Sequence, residues 1–318
     1  MRIRIISPSG PIDPTLIDAA KRRLEAWGHC VTEGQFTRTS WGRFAATDEQ
    51  RLSDINVAFA DPEVDAILCA RGGYGLQRII DRIHLTKKLV IGFSDITALH
   101  QLMHTIGVPS LHSIMCKHIA TLPEDSETLQ SFRQTLQECR VESLECRVVA
   151  PDGDSLKFTP SPLNRPSTAR GTLIGGNLSV LYGLQGTPYG LSASLASGLP
   201  TQRSANEVVC QPEGRSILFI EDIAERHYHI DRMMQNLRLS GVLANLSGLI
   251  VGQFSDCEQD PGMQETIEET ILRAVADYDY PVAFNFPAGH VENNLPLWLG
   301  REVELKVTHS DTYLNYNI

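Results

Sequence analysis

Short, unbroken apolar runs recur along this chain, each ending in glycine, serine or a charged residue and each followed by helical periodicity. Ile3–Ile6, Ala66–Ala70 and Leu89–Ile91 are such runs in the first half. A strand that is apolar on both faces has to be covered on both. A parallel sheet flanked by helices does this, so the pattern predicts an α/β fold. The helical segments agree. Asp13-Pro14 reads as an N-cap with proline in the first turn, Leu16, Ala20, Leu24 and Trp27 share one face, and Gly28 stops the helix. Thr47-Asp-Glu-Gln50 reads as a capping box, with Leu52, Ile55 and Phe59 inward.

The texture changes between about Leu144 and Arg170, where Asp152-Gly-Asp154 and the proline-rich Thr159–Ser167 read as turns. With 318 residues the chain is long enough for two domains. We expect one over 1–150, a connection over 151–170 and a second over 171–318. In the second, Ser216–Ile220, Leu249–Val251 and Val282–Phe284 read as strands, and Met263, Ile267, Ile271 and Val275 recur on a helix.

The formal net charge of −10, with no basic cluster, argues against nucleic acid or an anionic membrane as partners. No apolar run has the length of a signal peptide or a membrane span. The seven scattered cysteines, without C-x-x-C pairs, suggest free thiols in a reducing cytoplasm. Metal ligation lacks support. His100 and His104 are four apart, but Gln101 stands where H-E-x-x-H needs glutamate, and His227 and His229 have no companion ligands. No cofactor is expected.

Polar residues sit just past the apolar runs at four places, the position at which open α/β sheets bind ligands. These are Arg71-Gly-Gly-Tyr-Gly75, Ser94-Asp95, Glu221-Asp222 and Gly289-His290. Ser94 falls where a strand turns into a helix, a place that suits an exposed nucleophile and equally a helix cap. Together the sites supply a serine, a carboxylate and an imidazole. Serine needs a base, and that base needs an acid to fix its tautomer. The glycine-rich turn could cradle a phosphate, approach a substrate oxygen, or simply turn the chain, and it lacks the full dinucleotide or P-loop spacing.

The same segments, in order along nearly the whole chain, resemble the LD-carboxypeptidases, a family of serine peptidases. They are Ser7-Pro-Ser-Gly10, Arg71-Gly-Gly-Tyr-Gly75, Gly92-Phe-Ser-Asp-Ile-Thr97, Gly175-Gly-Asn-Leu178, Leu218-Phe-Ile-Glu-Asp222 with Ile230-Asp-Arg232, and Gly289-His290 before Leu295-Pro296. The resemblance implies a flavodoxin-like N-terminal domain with a parallel sheet and a smaller C-terminal α/β domain. It implies Ser94 as nucleophile, His290 as general base and Glu221 as its orienting acid, with an oxyanion hole from the backbone N–H groups of Gly72, Gly73 and Asp95. Arg71, Tyr74 and Arg232 are the candidate substrate contacts, the arginines as partners for a terminal carboxylate. The implied activity is release of terminal D-alanine from muropeptide tetrapeptides in peptidoglycan recycling, by a cytoplasmic homodimer. Alternatives are a related amidase giving immunity to a peptidyl-nucleotide antibiotic, and a nucleotide-binding protein without catalysis. One departure stands out: His112-Ser-Ile-Met115 replaces the His-Gly-Pro-Met that the family often shows.

Overall fold

The computed structural model describes residues 1–139, 155–158, 161–191, 215–308 and 311–316. The Asp152-Gly-Asp154 turn lies outside them. The first unit alternates β1 (Arg2–Ile6), α1 (Pro14–Ala26), β2 (Cys30–Glu33), α2 (Asp48–Ala60), β3 (Ala66–Cys69), β4 (Leu89–Gly92), α3 (Thr97–Thr105) and β5 (Ser110–His112). Helices α4 (Cys116–Thr121) and α5 (Glu127–Glu138) follow. All pairings among β1–β5 are parallel, in the order β2-β1-β3-β4-β5. This is the flavodoxin-like order, and its switch point lies between β1 and β3. Both faces are covered as the sequence demands. Ile17, Leu24, Ile119 and Phe132 pack from α1, α4 and α5 on one side. Ile55, Phe59, Leu99 and Met103 pack from α2 and α3 on the other.

The caps act as read from the sequence. The Asp13 carboxylate accepts from the Thr15 N–H at 2.9 Å. Thr47 and Gln50 complete a reciprocal capping box.

The second unit contains β6 (Ser155–Phe158), β7 (Ser167–Asn177), α6 (Leu178–Leu184), β8 (Ser216–Ile223), α7 (His227–Leu239), β9 (Leu246–Ser255), α8 (Ile267–Ala274) and β10 (Val282–Ala283). Next, β11 (Leu297–Leu299) returns to the first sheet, antiparallel to β5. Finally β12 (Glu302–Val307) and β13 (Thr312–Asn315) complete a second sheet of order β10-β9-β8-β7-β12-β13-β6. Its β7–β10 portion is parallel and the rest antiparallel. Thus β6 and the start of β7, inside the stretch read as a connection, are strands of this sheet. Helix α8 starts later than its periodicity suggested. Gln264 takes a left-handed φ of 59° and Thr266 caps the helix, so Met263 stays in a separate short turn.

The two units share a core. Leu173, Ile217, Phe219 and Ile250 from the second sheet join Leu111 and Trp298 of the first. Near the site they are also pinned by a polar contact, in which the Asn177 N–H donates to Thr97 Oγ1 at 2.9 Å. Among the described residues no helix is long and apolar enough to cross a membrane. Cys30, Cys69, Cys116 and Cys257 are free thiols, whereas Cys139 is disulfide-bonded, which corrects the expectation of free thiols throughout.

Candidate active site

The sheet ends converge on a cavity of about 810 Å³. Asp13 follows β1, Arg71, Gly72 and Gly73 follow β3, and Phe93 and Ser94 follow β4, so the cavity opens at the switch point of the first sheet. Met115, Lys117 and His118 reach it from α4 and the turn before it, and Ile223 and His290 from the second unit.

Ser94 does not cap a helix. The short 3-10 turn that it opens and α3 both lack a side-chain cap bond. Its φ is +66°, a left-handed conformation that costs a non-glycine residue about 1–3 kcal/mol. Such strain persists only where the surroundings enforce it, and here they do. The next residue, Asp95, is buried and accepts from Ser9 Oγ at 2.6 Å and from the Leu76 N–H at 3.1 Å. Opposite, the Gly10 N–H donates to the Gly72 carbonyl at 3.0 Å. The turns after β1, β3 and β4 are thereby tied into one rim. Burial raises the Asp95 pKa, and the Ser9 and Leu76 bonds oppose that rise. Gly72 is required by proximity: a Cβ there would lie 2.8 Å from Ser94 Cβ. The N–H groups of Gly72, Gly73 and Asp95 donate to no acceptor among the described residues.

Glu221, at the end of β8, is fully buried, and its Oε2 accepts from His290 Nδ1 at 2.8 Å. A carboxylate has no proton to give, so this bond fixes the proton on Nδ1 and leaves Nε2 as the basic nitrogen. Glu221 Oε1 has no partner among the described residues. Gly289 has φ +128°, and a Cβ there would come within 3.0 Å of Glu221 Oε2. The buried Asn294 holds this turn by accepting from the Gly289 N–H at 3.1 Å. The His290 ring packs on Phe93 with centroids 4.9 Å apart, which places it beside the Ser94 turn. Ser94 and His290 line the same cavity, with no direct hydrogen bond between their side chains.

Neighbouring Asp222 is also buried. It accepts from Asn177 Nδ2, from the Ser179 N–H and hydroxyl, and from the Ile223 N–H. Burial pushes its pKa up to about 6 despite these donors.

The other sequence candidates separate. Arg71 lines the cavity and donates from Nη1 to the Pro11 carbonyl at 2.6 Å. Tyr74 lies outside the lining, tilted against Phe44. Arg232 is exposed on α7 with its guanidinium over the Tyr228 ring, also outside the lining. His100 is a buried structural residue. It bonds to the Gly92 carbonyl and to Ser110 Oγ, both at 2.8 Å, beneath the serine turn. His227 bonds Thr270 and His229 bonds Glu225, so this pair does not converge on one ligand.

Four ionisable lining residues carried no site role in the sequence reading: Asp13, read only as a cap, Lys117, His118 and Glu292. Burial pushes the His118 pKa down to about 4, with Lys117 and His290 adding to the shift, so its imidazole is neutral near pH 7. The departing stretch is largely interior. His112, Ser113 and Ile114 are buried, and only Met115 reaches the cavity. The nearest signal to Lys117 and His118 was their position directly after that stretch.

Residues 3–113 match the model of the LD-carboxypeptidase N-terminal domain, and residues 170–305 match that of the C-terminal domain. A protein of Bacillus subtilis named "Probable murein peptide carboxypeptidase" is 29% identical, covering 99% of this chain and 92% of its own length. The murein tetrapeptide carboxypeptidase of Pseudomonas aeruginosa is 27% identical over 92% of this chain and 89% of its own. Among solved structures, the muramoyltetrapeptide carboxypeptidase of Oxalobacter formigenes has the same fold, with a TM-score of 0.78, 24% identity and coverage of 99% and 98%. The microcin C7 self immunity protein MccF is similar in fold at a TM-score of 0.75, with 20% identity and coverage of 99% and 95%.

Proposed function

This chain belongs to the LD-carboxypeptidase family and is a serine-type carboxypeptidase, and on that premise we propose that it removes the terminal D-alanine of muropeptide tetrapeptides. The Glu221–His290 hydrogen bond, set in the same cavity as Ser94, is the observation that carries this reading.

In the proposed reaction Ser94 Oγ attacks the carbonyl carbon of the residue before the D-amino acid, and His290 Nε2 takes the hydroxyl proton. The N–H groups of Gly72, Gly73 and Asp95 hold the negative oxygen of the tetrahedral intermediate. His290 then gives its proton to the leaving amine as the C–N bond breaks, leaving an ester on Ser94. Water attacks that ester, its proton goes to His290, and the serine is restored. Glu221 keeps Nδ1 protonated and stabilises the imidazolium formed in each half-reaction. Arg71 receives the carboxylate of the terminal D-amino acid, while Tyr74 and Arg232 would need to move to reach the substrate.

The serine then comes from the 1–150 unit and the Glu–His pair from the 171–318 unit, so the reaction occurs where they meet. The resemblance favours a cytoplasmic homodimer, which light scattering on purified protein tests for assembly.

The direct test is incubation of the protein with L-Ala-γ-D-Glu-meso-diaminopimelyl-D-Ala and, separately, with an aminoacyl sulfamoyl adenosine. Release of D-alanine with slower cleavage of the adenosine conjugate supports the proposal. The reverse preference replaces it with an immunity amidase. Nucleotide binding without hydrolysis of either replaces it with a binding protein.

A further inference from the structure

Arginine is seldom fully buried, because its charge is costly to remove from water. Arg51, on α2, is 1% exposed and does not line the cavity. Its Nη2 pairs with Asp48 at 2.5 Å. Its Nη1 donates to two backbone carbonyls, that of Pro8 and that of Gly75, the latter at 3.1 Å. Pro8 belongs to the turn after β1, and Gly75 to the turn after β3 that carries Gly72 and Gly73. Gly75 admits the guanidinium because it lacks a side chain: a Cβ there would lie 2.9 Å from Arg51 Nη1. The next N–H along the chain, that of Leu76, donates to the buried Asp95 carboxylate at 3.1 Å. The Gly75–Leu76 peptide is therefore gripped at its carbonyl by a buried cation and at its N–H by a buried anion. The facing turn repeats the pattern, with the Pro8 carbonyl on Arg51 and the Ser9 hydroxyl on Asp95 at 2.6 Å. Hydrogen bonds to charged groups are stronger than neutral ones. Burial raises the Asp95 pKa, and the Arg51 charge opposes that rise, so the two charges support each other.

We infer that Arg51 is a positioning residue for the oxyanion hole: together with Asp95 it fixes the turn that aims the Gly72 and Gly73 N–H groups at the carbonyl oxygen under attack. The inference rests on the serine-peptidase reading above and adds how those donors are held. Backbone donors stabilise an oxyanion only when they are aimed before the reaction begins. Glycines at 72, 73 and 75 leave this turn with little side-chain bracing of its own, and Gly73 and Gly75 take left-handed φ values of 115° and 136°. Ties from outside the turn have to supply the bracing. Buried charges do so well, because neither can shift without leaving a partner unpaired in the interior. Arg51 lies outside the cavity lining, so its effect falls on the rate of the chemical step and spares substrate binding.

The test compares wild-type protein, Arg51→Met and Arg51→Lys, each first checked for folding by circular dichroism. Two rates are measured: labelling of Ser94 by a fluorophosphonate, whose phosphoryl oxygen occupies the oxyanion hole, and release of D-alanine from the tetrapeptide. Arg51→Met removes the charge and both carbonyl bonds. It should slow labelling and lower kcat by about 100-fold, the cost of a misplacement of about 1 Å, with KM within about threefold of wild type. Arg51→Lys keeps the charge, but its ammonium ends short of the two carbonyls, so it should recover about tenfold of that loss and no more. A folded Arg51→Met that labels within about threefold of wild type, a loss confined to KM, or no recovery with Arg51→Lys overturns the assignment. If Arg51→Met does not fold, Arg51→Lys decides, and labelling within about threefold of wild type overturns it. Labelling of wild-type Ser94 without release of D-alanine overturns the carboxypeptidase reading and leaves the Arg51 comparison standing on the labelling rates. Absence of labelling in wild-type protein overturns both.

Discussion

Replacing Gly72 by alanine perturbs Ser94, the proposed nucleophile, through one methyl group. The added carbon would sit 2.8 Å from Ser94 Cβ, 3.0 Å from its Oγ and 3.3 Å from the Phe93 carbonyl oxygen. Carbon atoms prefer about 3.5–4.0 Å, so roughly 1 Å has to be absorbed. Ser94 Cβ cannot rotate away, because it is fixed to a backbone already held at φ +66°. The Gly72 side is tethered too, by the Gly10 N–H on its carbonyl. The serine should therefore shift, and a misplacement of about 1 Å costs on the order of 10²-fold in rate. Overpacking should cost about 1–3 kcal/mol of stability. Release of D-alanine from the tetrapeptide measures the first, and urea unfolding measures the second. A folded Gly72→Ala enzyme with kcat within about threefold of wild type would refute the claim that this glycine sets the position of the nucleophile.

Glu221→Gln keeps the shape and removes the charge beside His290. Losing a charge-assisted hydrogen bond of about 1.5–3 kcal/mol should lower kcat by at least about tenfold, with KM little changed. The melting temperature should not fall, because a buried carboxylate is desolvated; unchanged kcat would contradict the role. A separate expectation concerns acid. Burial lowers the His100 pKa from 6.5 to about 4, so the folded state binds this proton less readily than the unfolded state. The stabilising contribution is full above about pH 6.5 and is lost as pH falls towards 4, by up to about 3 kcal/mol. Urea titrations at several pH values should show His100→Gln with a shallower acid limb, and an identical limb would contradict this.

The fold was legible where the pattern was local. The runs at Ile3, Ala66 and Leu89 became neighbouring parallel strands, and the Asp13 and Thr47 caps formed as written. The return of Leu297–Leu299 to the first sheet was not legible, because an antiparallel edge strand from a distant segment leaves no periodic signature. Within the site, Ser94, Glu221 and His290 could be picked out because each follows an apolar run. Lys117 and Glu292 could not, since an exposed lysine or glutamate reads as solvated surface until the fold brings it to a cavity. Asp95 read only as a neighbour of the serine. Its bonds to Ser9 and Leu76 join turns up to 86 positions apart, which no local reading reaches.

The central claim is that Ser94 is a nucleophile activated by His290. A fluorophosphonate probe followed by peptide mass mapping tests it without any assumption about substrate. The account predicts a phosphonate adduct on the peptide containing Ser94, absent in Ser94→Ala and formed at least about 100-fold more slowly in His290→Ala. An adduct on another residue, or labelling of Ser94 undiminished by loss of His290, would contradict it.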